Sequence, residues 1–485
     1  MTIYKRYEPV IGLEIHMQLL TQSKAYSSDS AEYGSLPNTH ISPITLGHPG
    51  TLPKVNKKVL EFAVRLGLAV GSTIRIENYY ARKNYFYADL PKGYQITQDS
   101  TPICNGGSVV IKNPADGKSK TINITRIHME EDAGKSIHDQ DPFDTLVDLN
   151  RAGVPLLEIV SEPDLRSGEE AYQYLTEVRK LVRYLDICDG NMEEGSFRCD
   201  ANISVRLHGS EKFGQRTEVK NMNSIRNVQR AIEYEIKRQI DELEAGRNIS
   251  METRSFDAVK GTTFAMRSKE LANDYRYFPE PDLQPVFVDE AFILHEKKMM
   301  PPLPNELLEK YISEAGLSRY DATVITDSKE TALYFEELIK HTKNFKAAAN
   351  WLMGAVKSHL NENALEITDF PISPQRLALL IKLIDLGKVS HTAASQRIFP
   401  KMIVDDKHSP TEIAEQENLL MEESSDSLKT MVEAVLTKYP EKVLEYKSGK
   451  TGLLGLFMGD VMKLSKGKAD PKAADKILKE ILNRA

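Results

Sequence analysis

The sequence from Phe197–Leu207 reads FRCDANISVRL, in which apolar and polar side chains alternate strictly. A period of two is typical of a strand that buries one face and presents the other. A turn over residues 209–214 follows, and residues 216–221 are predicted to return as a second strand whose polar face carries Glu218 and Lys220. The pair predicts an antiparallel hairpin with a densely polar side.

The same alternation occurs near the N-terminus, over residues 10–19. Glu14, His16 and Gln18 point one way there, while the apolar residues between them point the other. Both stretches therefore predict an antiparallel sheet with one apolar and one polar face.

Two amphipathic helices are predicted to cover this sheet. The first begins at Ser167, which forms a capping-box pattern with Glu170, and apolar residues then recur at helical spacing as far as Leu185. The second begins at Ser224 and ends at Gly246, a residue type favoured directly after a helix C-terminus. The predicted fold class is therefore α+β.

The pattern changes part-way along the chain from mixed strands and helices to almost entirely helical. A proline-rich stretch at 300–304 accompanies the change, and a polar, turn-rich segment at 403–410 marks a second break. We therefore expect three domains, at 1–295, 296–405 and 406–485.

Bulk composition excludes several classes of protein. The chain has 485 residues, 41% hydrophobic and 27% charged, which is typical of a globular protein with a large core. No apolar run approaches the roughly 18 to 20 residues of a membrane-spanning helix, so we expect no membrane contact and a cytoplasmic location. Three scattered cysteines do not make a disulfide scaffold. A net charge of -7 requires any phosphate-binding surface to be local.

The composition of the polar faces bears on chemistry. Solvated strand faces favour Thr, Lys and Ser, whereas these faces combine carboxylates with His, Asn and Arg. Plain solvation is one interpretation, because an antiparallel sheet usually leaves one face to water. A site that holds a metal ion together with phosphates is the other.

The densest run of charge lies at residues 126–135, where three consecutive acids begin at Glu130. They form either an exposed turn of mutually repelling acids or a site where a divalent cation offsets their charge. Mg²⁺ fits the second interpretation, because it takes hard oxygen ligands when it bridges carboxylates to nucleotide phosphates. His16 fits less well than Glu14, since imidazole prefers softer metals, and a core-facing or hydrogen-bonding role for His16 stays open.

Two further residues stand out. Glu158 is flanked by apolar residues on a predicted buried strand, so its carboxylate needs an ion-pair partner or a metal to offset desolvation. Lys83 lies in the basic and aromatic segment 82–87, which either meets phosphates and a base or places a lysine on a core-packing strand. The chain has no Walker A loop, because each Gly-Lys-Ser/Thr triplet lacks the glycine required five residues earlier. It also lacks a serine-rich amidase signature.

Six blocks of the sequence carry a family resemblance. They read VIGLEIH at 10–16, RKNYFY at 82–87, HMEEDAGK at 128–135, DLNRAGVPLLEIVSEPD at 148–164, EGSFRCDAN at 194–202 and DYRYFPEPD at 274–282. These blocks resemble the GatB family, which belongs to the tRNA-dependent amidotransferases. Residues 452–459 and 467–471 are similar to the YqeY-like tail of that family, so the resemblance runs nearly end to end. Ala88 departs from the proline expected there.

The resemblance implies a first domain of the glutamine-synthetase/guanido-kinase type, called the cradle, then an all-α helical domain and an α-helical YqeY-like tail that binds tRNA. It also implies a heterotrimer with the amidase GatA and the small protein GatC. GatA would hydrolyse glutamine and deliver ammonia through a tunnel. ATP would phosphorylate the side-chain carboxylate of Glu or Asp misacylated on tRNA(Gln) or tRNA(Asn), and ammonia would convert it to the amide for translation.

The polar strand faces then receive individual roles as expectations. The expected Mg²⁺ ligands are Glu14, His16, Glu130, Glu131, Asp200 and Glu218. The residues expected to bind ATP are Lys83, Arg198, Asn202 and Lys220. The residues expected to take part in catalysis are Lys83, Glu131, Glu158 and Asp200.

A local basic segment near the C-terminus is the expected tRNA contact. Its cations are Lys463, Lys466, Lys468, Lys472, Lys476, Lys479 and Arg484. A solvated helix face is the alternative interpretation. Two rival functions also stay open: a free-standing ATP-dependent ligase that acts on free glutamate, and a noncatalytic tRNA-binding scaffold.

Overall fold

A computed structural model describes residues 3–113, 117–268, 275–421, 425–465, 469 and 471–483. The chain divides into two compact units, Met1–Leu303 and Pro304–Ala485. Helix Glu290–Met299 crosses the boundary expected at residue 295 and lies within the first unit. The division of the second unit at residue 405 stays a prediction.

The first unit contains all the strands found in the described residues. They are β1 (Tyr7–Gln18), β2 (Thr73–Ile74), β3 (Glu77–Asn78), β4 (Ala81–Asn84), β5 (Tyr94–Thr97), β6 (Cys104–Asn105), β7 (Ser108–Lys112), β8 (Ser119–Glu131), β9 (Lys135–Ile137), β10 (Leu146–Asp148), β11 (Pro155–Ser161), β12 (Phe197–Leu207), β13 (Thr217–Lys220), β14 (Glu252–Asp257), β15 (Thr262–Ser268), β16 (Phe278–Pro279) and β17 (Val286–Phe287). Its helices are a 3₁₀ turn (Ile3–Arg6), α1 (Lys57–Ala69), α2 (Gly168–Tyr184), α3 (Ile225–Glu244) and α4 (Glu290–Met299).

Ten of these strands form one sheet in the order β15-β14-β13-β12-β1-β11-β8-β6-β2, with β7 also paired to β8. Strand β1 is central, since it pairs antiparallel with both β11 and β12. The strands predicted from alternation are confirmed, and the apolar set of β1, which includes Leu13, Ile15 and Met17, is fully buried. The sheet therefore has one face in the core and a polar opposite face, as the alternation predicts.

The sheet is mixed and not wholly antiparallel, because β13 and β14 run parallel. A parallel pair needs a crossover connection, and α3 supplies it between these two strands. The expected antiparallel sheet is corrected at this one pairing.

Helices α2 and α3 pack against each other and against β7 and β12. Ser167 accepts a hydrogen bond from the Glu170 amide, and Ser224 does the same for Asn227, so both predicted N-caps are confirmed. The reciprocal half of the expected capping box is absent, because the Glu170 carboxylate accepts from the backbone of Arg166 instead. Gly246 follows α3 with φ +74°, as predicted for a residue that ends a helix.

The second unit is helical throughout its described residues. Its α-helices are α5 (Pro304–Ser313), α6 (Arg319–Ile325), α7 (Lys329–His341), α8 (Phe345–Trp351), α9 (Lys357–Asn363), α10 (Pro374–Asp385), α11 (His391–Ala393), α12 (Phe399–Val404), α13 (Pro410–Gln416), α14 (Ser425–Lys438), α15 (Pro440–Lys447), α16 (Leu454–Leu464) and α17 (Pro471–Leu482). Shorter helical segments of other types are Leu352–Val356, Ile367–Asp369, Ala394–Ile398 and Thr451–Leu453. Across the described ranges, no helix has the length and apolar character needed to cross a membrane.

Candidate active site

The polar face of the sheet brings four predicted strands into one row of side chains. The register places Arg198 of β12 opposite His16 of β1, His16 opposite Glu158 of β11, and Glu158 opposite His128 of β8. Residues directly opposite each other on antiparallel strands share a face and lie within contact distance. The row therefore crosses the middle of the sheet and joins residues that are far apart in the sequence.

The first group of acids on this face is the carboxylate cluster, defined as Glu14, Asp200 and Glu218. One oxygen from each residue lies within 4.8 Å of the others. The Asn202 amide donates to Glu14 at 2.9 Å, and the Thr253 hydroxyl donates to Glu218 at 2.8 Å. Burial raises the pKa of Glu14, and the nearby charges of Glu158 and Asp200 raise it further. The cluster is thus an acidic centre in which a cation is favoured.

Lys220 supplies positive charge to the carboxylate cluster. Its ammonium group pairs closely with Asp200 and lies 3.2 Å from Glu218. Burial would lower the pKa of Lys220, but the charges of Asp200 and Glu218 raise it above its usual range. Lys220 therefore stays charged beside the acids.

The second group is the histidine cluster, defined as His128, Glu130 and Glu158. Its ligand atoms also lie within 4.8 Å of one another, and all three residues are buried. His128 Nε2 lies 3.3 Å from Glu158 and 3.4 Å from Glu130, while His16 Nε2 lies 3.1 Å from Glu158. Lys83 Nζ lies 3.2 Å from Glu130. The sheet thus joins the predicted residues His16, Lys83, Glu130 and Glu158.

Mutual electrostatics keep the histidine cluster ionised. Burial alone would lower the pKa of His128, but the charge of Glu158 and hydrogen bonds to Glu130 and Glu158 raise it to about 9. Burial opposes ionisation of Glu158 as well, yet the charges of His128 and His16 hold its pKa well below its usual value. Lys83 has the corresponding effect on Glu130, whose pKa is lowered. Two carboxylates are therefore charged despite burial.

A cavity of about 570 Å³ opens over this face. Six of the predicted site residues line it: His16, Lys83, Glu130, Arg198, Asp200 and Lys220. Glu14, Glu218, Asn202 and Glu158 adjoin it through the contacts given above. The volume suits a nucleotide-sized ligand, since small-molecule sites run from about 300 to 1,000 Å³.

Glu131 does not join the other predicted residues. Successive side chains of a strand point to opposite faces, so Glu131 projects away from the face that carries Glu130. Its carboxylate pairs with Lys92 and accepts a hydrogen bond from the amide of Ile96 at 2.8 Å. It lines a separate cavity with Lys24. The expectation that Glu130 and Glu131 share one ion is therefore wrong.

Three residues of the site received no role from the sequence. His128 belongs to the histidine cluster, while Asp132 and Arg151 line the cavity. Asp132 accepts from Arg198 at 2.9 Å and lies 3.7 Å from Arg151, so it holds both guanidinium groups. The alternation of β8 would have identified His128, because it lies two residues before Glu130 on the same face.

The donor sets can be compared with the ion that the site would hold. The carboxylate cluster offers three oxygen ligands, which suits a hard cation such as Mg²⁺. The histidine cluster adds an imidazole, and His128 Nδ1 is buried without a hydrogen-bond partner in the described residues. The residues present therefore fit one oxygen-ligated cation and one mixed-ligand cation.

Only part of the basic C-terminal segment can be placed. Lys463 and Lys476 are exposed, and Lys479 donates to Asp475 at 2.8 Å. Lys466, Lys468 and Arg484 lie outside the described residues, as does the side chain of Lys472.

Comparison with known proteins covers almost the whole chain. The model of the GatB/GatE catalytic domain matches residues 9–294, and that of the GatB domain matches residues 333–482. The chain is 49% identical to the GatB protein of the aspartyl/glutamyl-tRNA(Asn/Gln) amidotransferase from Chlorobium phaeobacteroides over 477 residues, which is 98% of this chain and 99% of that protein. It is 48% identical to the corresponding proteins from Thermoanaerobacter pseudethanolicus, over 99% of this chain and 100% of that one, and from Bdellovibrio bacteriovorus, over 98% and 99%. These matches confirm the resemblance carried by the six sequence blocks: the chain belongs to the GatB family of tRNA-dependent amidotransferases.

Proposed function

We infer that this chain is the amidating component of an aspartyl/glutamyl-tRNA(Asn/Gln) amidotransferase. One observation supports the location of its chemistry: two acid clusters and three cationic side chains share one face of a sheet around a single cavity. Such a face suits phosphoryl transfer, which is catalysed mainly by positioning and by offsetting charge.

The reaction requires activation because a carboxylate is a poor electrophile. An oxygen of the Glu or Asp side chain carried by the tRNA attacks the γ-phosphorus of ATP, and the bond to the β-phosphate oxygen breaks to release ADP. Ammonia then attacks the acyl carbon of the acyl phosphate. Inorganic phosphate leaves, the ammonium proton is lost, and the amide remains.

Residue roles follow from position in the cavity. Lys83, Arg198 and Lys220 line it with cationic groups, so they bind phosphate oxygens and orient ATP. Asp132 fixes the guanidinium of Arg198. Asn202 acts one step back from the phosphates, because its amide orients Glu14.

Glu14, Asp200 and Glu218 would hold Mg²⁺, and His128, Glu130 and Glu158, with His16 beside them, would hold a second cation. Bound cations would neutralise the negative charge that develops on the transferred phosphoryl group. The protein residues keep these ligands ionised and in place, through the contacts of Asn202 and Thr253. Glu131 takes no part in this arrangement.

Partners follow from family membership. Proteins of this family work as one component of a complex, and we propose GatA as the glutamine-hydrolysing ammonia source and GatC as the third member. The first unit would be the cradle of glutamine-synthetase/guanido-kinase type. The basic tail would contact the tRNA in a cytoplasmic enzyme.

The test is co-expression with candidate GatA and GatC, followed by assay of ATP- and glutamine-dependent conversion of Glu-tRNA(Gln) and Asp-tRNA(Asn). Glu14→Gln should reduce tRNA-dependent ATP turnover by about 100-fold or more, since charge stabilisation by a bound cation is worth several kcal/mol. Glu8→Gln is the matched control, because Glu8 lies on the same strand but pairs with Arg206 and Arg166 outside the cavity. Equal activity of both variants, or amidation of free glutamate by the isolated chain, would contradict the proposal.

A further inference from the structure

The segment from Tyr275 to Asp282 is fastened to β4, the strand that carries Lys83. Strand β16 pairs antiparallel with β4, and the Asn84 side chain donates to the carbonyl of Tyr275 at 3.1 Å. Arg82 adds a two-pronged ion pair with Glu280, at 2.7 and 2.8 Å. Arg82 is therefore engaged in holding this segment and does not serve the cavity.

Four tyrosine rings from the two segments follow one another in space. Tyr87 contacts Tyr85 with ring centroids 5.7 Å apart, Tyr85 contacts Tyr275 at 6.1 Å, and Tyr275 contacts Tyr277 at 5.8 Å. All three contacts are edge-to-face. We call these four rings the aromatic wall.

The aromatic wall borders the cavity on the side of Lys83. Tyr85 lines the cavity itself, and Lys83 Nζ lies 5.3 Å from the ring centroid of Tyr275. The outer rings are open to solvent, with Tyr87 58% and Tyr277 41% exposed. Among the lining residues in the described ranges, Tyr85 is the one phenyl-type ring. A flat ligand that leaves the cavity past Lys83 therefore meets tyrosine rings first.

We propose that the aromatic wall is the binding site for an adenine ring whose phosphate-bearing part lies beside Lys83. The inference rests on the proposed function, because that function places phosphate groups in the cavity. Edge-to-face packing leaves a ring face available to stack on a base, and aromatic stacking is how proteins commonly bind nucleobases. The cationic group of Lys83 next to the rings offsets the charge of the attached phosphates.

Two ligands of the same chemistry could supply this ring: the base of ATP and the terminal adenosine of the aminoacylated tRNA. Both bring an adenine ring joined through ribose to groups that react in the cavity. A protein partner that covers the exposed tyrosines is a different class of ligand. The charged cavity edge beside the wall favours a nucleotide over an apolar protein surface.

The experiment uses the assembled amidotransferase and two fluorescent probes. One probe is 2-aminopurine riboside triphosphate, and the other is tRNA with 2-aminopurine in place of its terminal adenine; stacking on aromatic rings quenches both. The variants are Tyr87→Leu and Tyr277→Leu, with Tyr87→Phe and Tyr277→Phe to keep the rings. Phe143→Leu is the control, because Phe143 is 93% exposed and lies outside the aromatic wall.

The Leu variants should abolish quenching of one probe and weaken its binding by about 5- to 150-fold, the range expected for one base stacked on an aromatic side chain. The Phe variants should retain both, and the affected probe identifies the source of the adenine. Unchanged quenching of both probes in the Leu variants overturns the inference. Loss of complex assembly in the Leu variants, with probe quenching intact in the assembled fraction, also overturns it, since the rings then contact a protein. Either result leaves the proposed function standing if Glu14→Gln still abolishes ATP turnover.

Discussion

Lysine side chains hold the places of positive charge in both acid clusters. Lys220 contacts two members of the carboxylate cluster, and Lys83 contacts Glu130 in the histidine cluster. An ammonium group and a divalent cation compete for the same carboxylate oxygens, because each oxygen lone pair serves one of them at a time. Metal binding therefore requires Lys220 to move from Asp200, and the released ammonium group can then reach a phosphate in the same cavity.

We expect Lys220→Met to bind Mn²⁺ more tightly than the unaltered protein. The gain should be about tenfold or more, since two unit charges 4 Å apart interact by about 4 kcal/mol at an effective dielectric constant near 20. Titration with Mn²⁺ followed by electron paramagnetic resonance measures the affinity without ATP turnover. Lys92→Met is the matched control, because Lys92 pairs with Glu131 outside both clusters, and its Mn²⁺ affinity should not change. A weaker affinity for Lys220→Met would show that the lysine supports the ion.

Glu131 should contribute to stability and not to metal binding. It is buried and paired with Lys92, so Glu131→Ala leaves an ammonium group without its partner at a buried site. Breaking such a pair from one side costs about 3 to 5 kcal/mol of unfolding free energy. Urea denaturation of the first unit measures this loss, and replacing both residues by apolar ones should recover part of it. A fall in Mn²⁺ affinity with unchanged stability would restore Glu131 as a ligand.

The strands that carry the site were predictable because each depends on local alternation. Strand β12 has the period of two over its whole length, and β1 repeats it, so both polar faces were identified correctly. Their neighbours were not predictable, because pairing between β1 and β11 joins residues far apart in the sequence and leaves no local signal. The histidine cluster depends on that pairing.

The phase of β8 was the other limit. Three consecutive acids cannot all share one face of a strand, and the strand period alone assigns Glu130 and Glu131 to opposite faces. Composition drew attention to the charge, whereas the geometry of the strand decides which carboxylate reaches the cavity.

The turn after β8 should not tolerate a side chain at Gly134. A Cβ atom there would lie 2.9 Å from the carbonyl oxygens of Asp89 and Asp148, which are backbone atoms that cannot easily move. Gly134→Ala should therefore lower the unfolding free energy by about 1 to 3 kcal/mol and shift Arg151, which donates to the Gly134 carbonyl at 2.5 Å. Gly459→Ala in α16 is the control, because nothing lies within 4 Å of its added atom. Equal unfolding midpoints for the two variants in urea would contradict this.

Charge is distributed unevenly over the whole molecule. The net charge of -7 coexists with cations that line the cavity and with exposed lysines on α16 and α17. These two helices pack together around a core that includes Phe457, Val461, Ala474 and Leu478. A folded basic surface on an acidic protein is suited to a polyanion, since it provides attraction only where the ligand should bind.

If the tail contacts tRNA phosphates, the salt dependence of binding must report how many contacts it makes. Each lysine that neutralises a phosphate contributes about 0.7 to 0.9 to the slope of log affinity against log salt. Replacing both Lys463 and Lys476 by Gln should therefore flatten the slope by about 1.4 to 1.8 and weaken binding most at low salt. Lys442→Gln serves as the control, because that lysine pairs with Glu445 and should contribute little. An unchanged slope in the double variant, measured on the assembled enzyme, would assign tRNA binding to another surface and leave α16 and α17 as a solvated helix pair.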